Sequence, residues 1–438
     1  MTFSVDTSRI PLPPQLPTAD SSRWWRRRWA LPVVLLLLTA SCVGYFCRNW
    51  LQERQFRQKC EETRRSEDWR AERETARAWA AWNPGAGSAW WFAAEAAQEL
   101  EDPEDVAFCL GHIPSSDPKF LFAYLEKANL EWTVLNRPLQ AVVTSQTVLA
   151  ADPRVTEIQS RLISFYAMSL QRSSLLRAIR SAISSQAEPR EAYAYLMMAD
   201  VLSFSNGADL NSRWLTSSPD EVRFKIGLAV NTANSIARNA DVAASGQVIE
   251  LEKEAERQLQ WFLDTVPHDP VLLTYLMNRA YEAGRAERVG ELLQNVDDTG
   301  SDDHMIWVYR GWYHIEMNEL PQADEALRES LRLHPLSGLA RHEYARLLRL
   351  QQRPATEVAH QQKLAAAGKQ IRAQLLLQPN VRDIPGEIFE QMARYAADCN
   401  DPLIADALAR RIGSSSSPPP PVSAGWRKLQ ADGVERAE

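Results

Sequence analysis

The sequence is short of glycine and cysteine and has a single long apolar run. Its 17 glycines in 438 residues fall below the roughly 7% average for soluble domains. They follow no three-residue period, which excludes a collagen-like chain. Five cysteines, none in a Cys-x-x-Cys pair, exclude a disulfide scaffold. An apolar share of 45% excludes a wholly disordered chain. A mean hydropathy of -0.36, with one apolar run only, excludes a polytopic membrane protein. The sequence has no GxxxxGK[ST], no GxGxxG after a strand, no HExxH and no GxSxG. Without those phosphate, dinucleotide, zinc-protease and hydrolase signatures, no enzyme is expected, and neither cofactor nor metal.

Charge is unevenly spread. Lys and Arg total 49 and Asp and Glu 56. Residues 1–59 hold nine Lys or Arg and three acids, a surplus of +6, which leaves -13 on the rest. An acidic body is a poor ligand for nucleic acid, whose affinity comes mainly from Lys and Arg neutralising phosphates. The basic head suits the cytoplasmic face of a bilayer.

Nineteen uncharged residues, 29–47, separate Arg28 from Arg48. As a helix they reach about 28 Å, enough to cross a hydrocarbon core. Trp24, Trp25 and Trp29 on one side, and Tyr45 and Trp50 on the other, fit interfacial anchors. Arg23, Arg26, Arg27 and Arg28 precede the run without an acid among them. That bias favours a single-pass cell-membrane protein with its N-terminus in the cytoplasm and its body outside. Two processing signals remain as alternatives. Leu38-Thr39-Ala40-Ser41-Cys42 resembles a lipobox with Cys42 as the lipidated residue, and Arg26-Arg27-Arg28 resembles a twin-arginine signal. Cys42 and Cys47 lie in the run, and the redox state of Cys60, Cys109 and Cys399 stays open.

The rest divides by composition. Residues 1–28 form a basic tail expected to be disordered, with IPLPPQLP and a Pro11-x-x-Pro14 spacing suited to polyproline II. Residues 48–80, rich in Arg, Glu and Gln without Gly or Pro, read as one charged helix leaving the membrane. Residues 81–412 carry short apolar-periodic segments punctuated by NPG, ADP, AEP, PHDP, HP and QPN, an all-helical pattern. Residues 413–438 read as a Ser/Pro linker and tail.

A 34-residue period runs through the helical part. Ala255, Val289 and Ala323 are 34 apart, as are Leu259, Leu293 and Leu327, and Phe262, Val296 and Ser330. Leu273 matches Trp307, and Met277 matches Gly311 and Ala345. The best register covers 236–371, with weaker units upstream, an interruption near 206–220 and a capping pair near 380–412. Small residues such as Gly311 and Ala323 let two helices approach, with Leu327 filling the space beside them.

The segment Trp307-x-x-x-Gly311, Ala323-x-x-x-Leu327, Pro335 resembles a tetratricopeptide repeat of the membrane-anchored bacterial type. His314 stands where that family usually has tyrosine. The resemblance implies an all-α solenoid, a right-handed superhelix of antiparallel helix pairs, preceded by one transmembrane helix. It also implies that positions five, nine and twelve of each first helix line a concave groove that holds other proteins or peptides. With repeats starting at Pro270, His304 and Gly338, those positions are Thr274, Asn278 and Tyr281, then Val308, Trp312 and Ile315, then His342, Arg346 and Arg349. Asn278, Tyr281, Trp312, His342, Arg346 and Arg349 are the expected groove contacts, with Trp312 either an exposed anchor or packed in the seam between repeats. A carboxylate clamp is not expected, since only Asn278 fits its pattern. The role implied is a membrane-anchored scaffold or assembly factor. A client-presenting chaperone in cytochrome or envelope assembly, an unrecognised enzyme, and a self-associating spacer are the alternatives.

The seven histidines show no metal spacing: His304 and His314 straddle one helix, and His334 and His342 flank a Pro turn. Glu252, Glu254 and Glu256, with Lys253 and Arg257, read as a solvated helix face with i,i+4 partners.

Overall fold

The computed structural model describes residues 21–201, 204, 206–239, 245–298 and 300–414. The Pro11-x-x-Pro14 stretch and residues 415–438 of the Ser/Pro tail lie outside them, while residues 413–414, expected in that tail, end the last helix. The described residues form twenty helices and no strand, as low glycine with abundant Ala, Leu, Glu and Arg favours. The chain divides into two compact units at Pro114 and Ser115, not at the boundary expected near residue 81.

The first unit contains α1 (Ser21–Arg65), α2 (Trp69–Trp82), α3 (Gly87–Glu99) and α4 (Pro103–Leu110). Helix α1 starts at Ser21, so residues 21–28, expected in the tail, belong to it. The single helix expected over 48–80 is broken between Arg65 and Trp69. Glu67 takes a left-handed φ of 56°, and Asp68 caps α2 by accepting the Ala71 N–H at 3.1 Å. The chain turns there because Trp79, fully buried, stacks on Phe56 of α1 and tilts against Phe92 of α3. Arg64 ties the corner by donating to Glu72 at 2.8 Å and to Glu95. These packing and ion contacts draw 69–110 into the same unit as α1. Among the described residues no helix is long and apolar enough to cross a membrane. The 29–47 run is only partly covered by that statement, because the side chains of 29–35 and 37 are not described.

The second unit begins with α5 (Phe120–Thr133), α6 (Pro138–Ala151), α7 (Thr156–Met168), α8 (Arg172–Ser184) and the short α9 (Ala192–Met197). It continues through α10 (Gly207–Ser217), α11 (Val222–Asn239) and α12 (Ser245–Thr265). Three pairs follow: α13 (Pro270–Glu282) with α14 (Ala286–Leu293), α15 (His304–Glu316) with α16 (Leu320–Leu333), and α17 (Gly338–Leu350) with α18 (Ala355–Leu376). Helices α19 (Gly386–Asp398) and α20 (Pro402–Ser414) end it.

The 34-residue period has a direct local cause. The first helices start at Pro270, His304 and Gly338. Their caps, Asp269, Asp303 and Ser337, accept the N–H of Leu272, Met305 and Ala340 at 2.9, 2.9 and 3.1 Å, as N-terminal capping requires. The turn into each second helix passes through a left-handed residue: Gly284, Asn318 and Gln352, with φ of 67°, 61° and 55°. Gly and Asn adopt that region most readily. The same device stands at Glu67, Glu101, Asn136 and Leu170, again 34 or 35 residues apart. The pair rhythm therefore reaches far upstream of 236–371, carried by backbone conformation where side-chain identity does not show it. Within α15 and α16, a Cβ on Gly311 would lie 2.6 Å from Leu327 Cγ, so the glycine is what lets these helices touch.

Two further features depart from the expected linear array. The 206–220 segment is not an interruption, because α10 pairs with α11. Gly207 and Gly227 permit that approach: a Cβ on either would lie 2.5 Å from Asn231 or 2.6 Å from Asn211. The terminal pair does not cap an open end, because α20 packs on α8 and α18 on α9. Asp401 pairs with Arg180 at 2.6 Å, Arg411 donates to the Glu188 carbonyl at 2.7 Å, and Tyr193 meets Phe389 edge to face at 5.8 Å.

Candidate binding face and buried polar centre

Helices α13, α15 and α17 pack side by side, while α14 and α16 make no comparable contact with each other. First helices that touch and second helices that diverge put the first-helix face on the inside of the curve. Asn278, Tyr281, Trp312 and Arg346 come together on that face. Tyr281 meets Trp312 edge to face at 5.1 Å and donates to Glu343 at 2.7 Å. Arg346 bridges Glu316 at 2.7 Å and Glu343 at 3.6 Å. Asn278 accepts from the Tyr309 hydroxyl at 2.9 Å and donates to Glu282 at 3.0 Å. Burial, then the Glu343 carboxylate, pushes the Tyr281 phenol up from its ordinary value. His342 and Arg349 are exposed and lie outside this network.

Trp312 takes the seam placement and not that of an exposed anchor: it is 5% exposed and packs between Tyr281 and the core. Adjacent first helices approach closely enough that an indole at position nine fills the seam. Thr274, Val308 and Ile315 are buried as well. The face is also not free along its length. Arg172 donates to Thr274 at 3.4 Å and to Asp303 at 2.7 Å, and Asp200 accepts the Leu339 N–H at 3.1 Å. Residues 172–200 thereby cover the starting ends of α13, α15 and α17. The open part lies towards their C-terminal ends, around Arg346 and Arg349.

Beneath that cover lies a polar centre. His304, the first residue of α15, and His334, the C-cap of α16, are 0% and 1% exposed. Their rings meet edge to face with centroids 4.7 Å apart. His304 Nε2 lies 3.0 Å from Asp200 Oδ1, and Arg372 lies 3.8 Å from Asp200 Oδ2. Burial alone would raise the Asp200 carboxyl, but the His304 hydrogen bond, the two imidazoles' electrostatic pull and the Leu339 N–H together outweigh it and hold the group well below the usual carboxylate range. Burial pushes the His334 imidazole well below its ordinary value. The Nδ1 atoms of both histidines are buried without a hydrogen-bond partner, each a desolvation cost of about 1–3 kcal/mol.

Sequence spacing could have placed the two histidines together. In an antiparallel pair the start of the first helix and the end of the second share one end of the bundle. Asp200, Arg172, Glu316 and Glu343 carried no such signal. The 252–257 charged stretch lies on α12 as a paired face, with Lys253 to Glu250 at 3.0 Å. With Tyr275, Arg279, Arg285 and Arg288 it lines an open cleft of about 840 Å³.

No family model and no curated protein matches the chain. Solved structures match at low identity. The Cut9–Hcn1 hetero-tetramer of the APC/C is 12% identical, covering 82% of this chain and 86% of that one, with a TM-score of 0.30. A tetratricopeptide repeat protein from Parabacteroides merdae is 13% identical over 66% of this chain and 96% of that one, at 0.24. A human IFIT1 dimer with m7Gppp-AAAA is 13% identical over 82% and 75%, at 0.27. The fold assignment rests on the helix pairs themselves.

Proposed function

We propose that this chain is a membrane-anchored scaffold or assembly factor that holds segments of other proteins on the first-helix face of α13, α15 and α17. The observation that carries the reading is the open end of that face. There Arg346 is fixed by Glu316 and Glu343, and His342, Arg349 and Leu350 are exposed beside it. A fixed guanidinium next to exposed basic and aliphatic groups suits an acidic peptide with an apolar residue, since pre-positioned Arg anchors cost little ordering on binding. A bilayer anchor at 29–47 is supported by the uncharged run and by exposed Leu36, Leu38, Val43, Tyr45, Phe46 and Trp50 on α1. The four preceding arginines support a cytoplasmic N-terminus with the repeats outside.

The test is a crosslinked pull-down from native membranes, with wild type beside a His342→Glu, Arg349→Glu variant. Both residues are exposed, so the fold is expected to survive the change. Partners lost in the variant support the reading. An unchanged partner list moves binding to another surface, and an empty list with wild type removes the scaffold reading.

A further inference from the structure

Asp200, His304 and His334 form a closed group. One ligating atom from each lies within 4.8 Å of the other two, and all three residues are at least nine-tenths buried. Two features separate this group from an ordinary buried hydrogen-bond cluster. His334 leaves Nδ1 buried and unpartnered, which folded proteins rarely tolerate without a bound water or ion. The second feature is how the carboxylate is held. Asp200 Oδ2 is occupied by the Leu339 N–H and faced by Arg372, so Oδ1 is the oxygen turned to the histidines.

We propose that Asp200, His304 and His334 bind one divalent transition-metal ion of borderline softness, zinc above all, as a structural clamp. Two imidazole nitrogens and one carboxylate oxygen suit zinc and its neighbours, whereas calcium and magnesium need oxygen ligands throughout. Donors around tetrahedral zinc stand about 3.4 Å apart. Separations within 4.8 Å close to that value through donor shifts of about 1 Å. Each neutral imidazole coordinates through one nitrogen and keeps its proton on the other, so binding requires no proton to leave. Nearby cations are largely balanced: Arg172 is paired with Asp303 and Arg180 with Asp401.

The ligands come from three places in the chain: Asp200 follows α9, His304 opens α15 and His334 closes α16. The ion would pin the irregular 198–201 segment to both ends of one helix pair, holding the cover over the first-helix face in place. Three protein ligands leave the fourth position to a water, and because all three are buried that position is closed to a substrate, which makes the role structural.

The test uses the untagged full-length chain in detergent, stripped with chelator and titrated with Co²⁺ and then Zn²⁺. The expected result is one Co²⁺ per chain with visible d–d absorption, displaced by one equivalent of Zn²⁺. Zinc at 100 times its dissociation constant should raise the unfolding midpoint by about 3 °C. His334→Gln should weaken binding by about 100-fold or more, while His360→Gln, at an exposed histidine, should leave it unchanged. Absence of a one-to-one Co²⁺ spectrum with wild type overturns the proposal whether or not the variants fold. So does equal binding by the His334→Gln and wild-type chains, which would place the ion on surface histidines.

Discussion

Gly311→Ala is the sharpest probe of the repeat packing. In a solvent-facing helix this change gains about 1 kcal/mol of propensity. Here the new Cβ would lie 2.6 Å from Leu327 Cγ and 2.7 Å from its Cδ2. Leu327 is 0% exposed and enclosed by Ile315, Ala323 and Leu347, so it has little room to swing away. Overpacking of this kind costs about 1–3 kcal/mol, which offsets the propensity gain and leaves the variant destabilised. Leu327→Ala alone removes a fully buried side chain at about 2–5 kcal/mol. In the double variant the added methyl enters the space the leucine vacates. The double variant should therefore be more stable than the sum of the singles by about 1–3 kcal/mol. Urea unfolding followed by circular dichroism reads all four corners of the cycle. Additive effects within about 0.5 kcal/mol, or a stabilised Gly311→Ala, would refute the claim that this glycine sets the helix spacing.

Other expectations follow from single contacts. Arg172→Met leaves Asp303 buried without its ion pair and should cost about 3–5 kcal/mol. Adding Asp303→Asn should recover a large part of that loss, and a nearly neutral single change would contradict the pair's assigned weight. Burial pushes the Cys60 and Cys109 thiols up to about 12. Their thiolate fraction at pH 8 is then on the order of 10⁻⁴. Iodoacetamide should leave the buried Cys60 and Cys109 unmodified until the chain is unfolded, and prompt labelling of Cys109 would count against the packing of the first unit. The full chain should stay with membranes through alkaline carbonate extraction, and a chain beginning at residue 52 should be released. Release of the full chain would remove the anchor.

The repeat core was legible because its period is geometric. Gly311, Leu327 and the starts at Pro270, His304 and Gly338 sit where a helix pair must narrow, fill and begin. The upstream pairs were not legible in the same way. Their rhythm is kept by left-handed turns at Glu67, Glu101, Asn136 and Leu170, of which only Asn136 is a residue type that favours such a conformation. The return of α19 and α20 onto α8 and α9 rests on non-periodic contacts such as Arg180 with Asp401, more than two hundred residues apart. Of the expected groove residues, Asn278, Tyr281, Trp312 and Arg346 do meet. Both placements of Trp312, exposed or in the seam, stayed open in the sequence because register fixes which way a side chain points but not how close the neighbouring helix comes. The histidine pair was readable from antiparallel geometry, but Asp200 follows a short helix outside the period and was not.

The central claim is that partners lie on the open end of the first-helix face. Photocrosslinking in native membranes tests it most directly. A photoreactive residue replaces His342 or Arg349 in one set of chains, and Arg328 or Arg332 of the second helix α16, both exposed, in another. Discrete protein adducts are expected from the first set and none from the second. Adducts from Arg328 or Arg332 with none from His342 or Arg349 would contradict it.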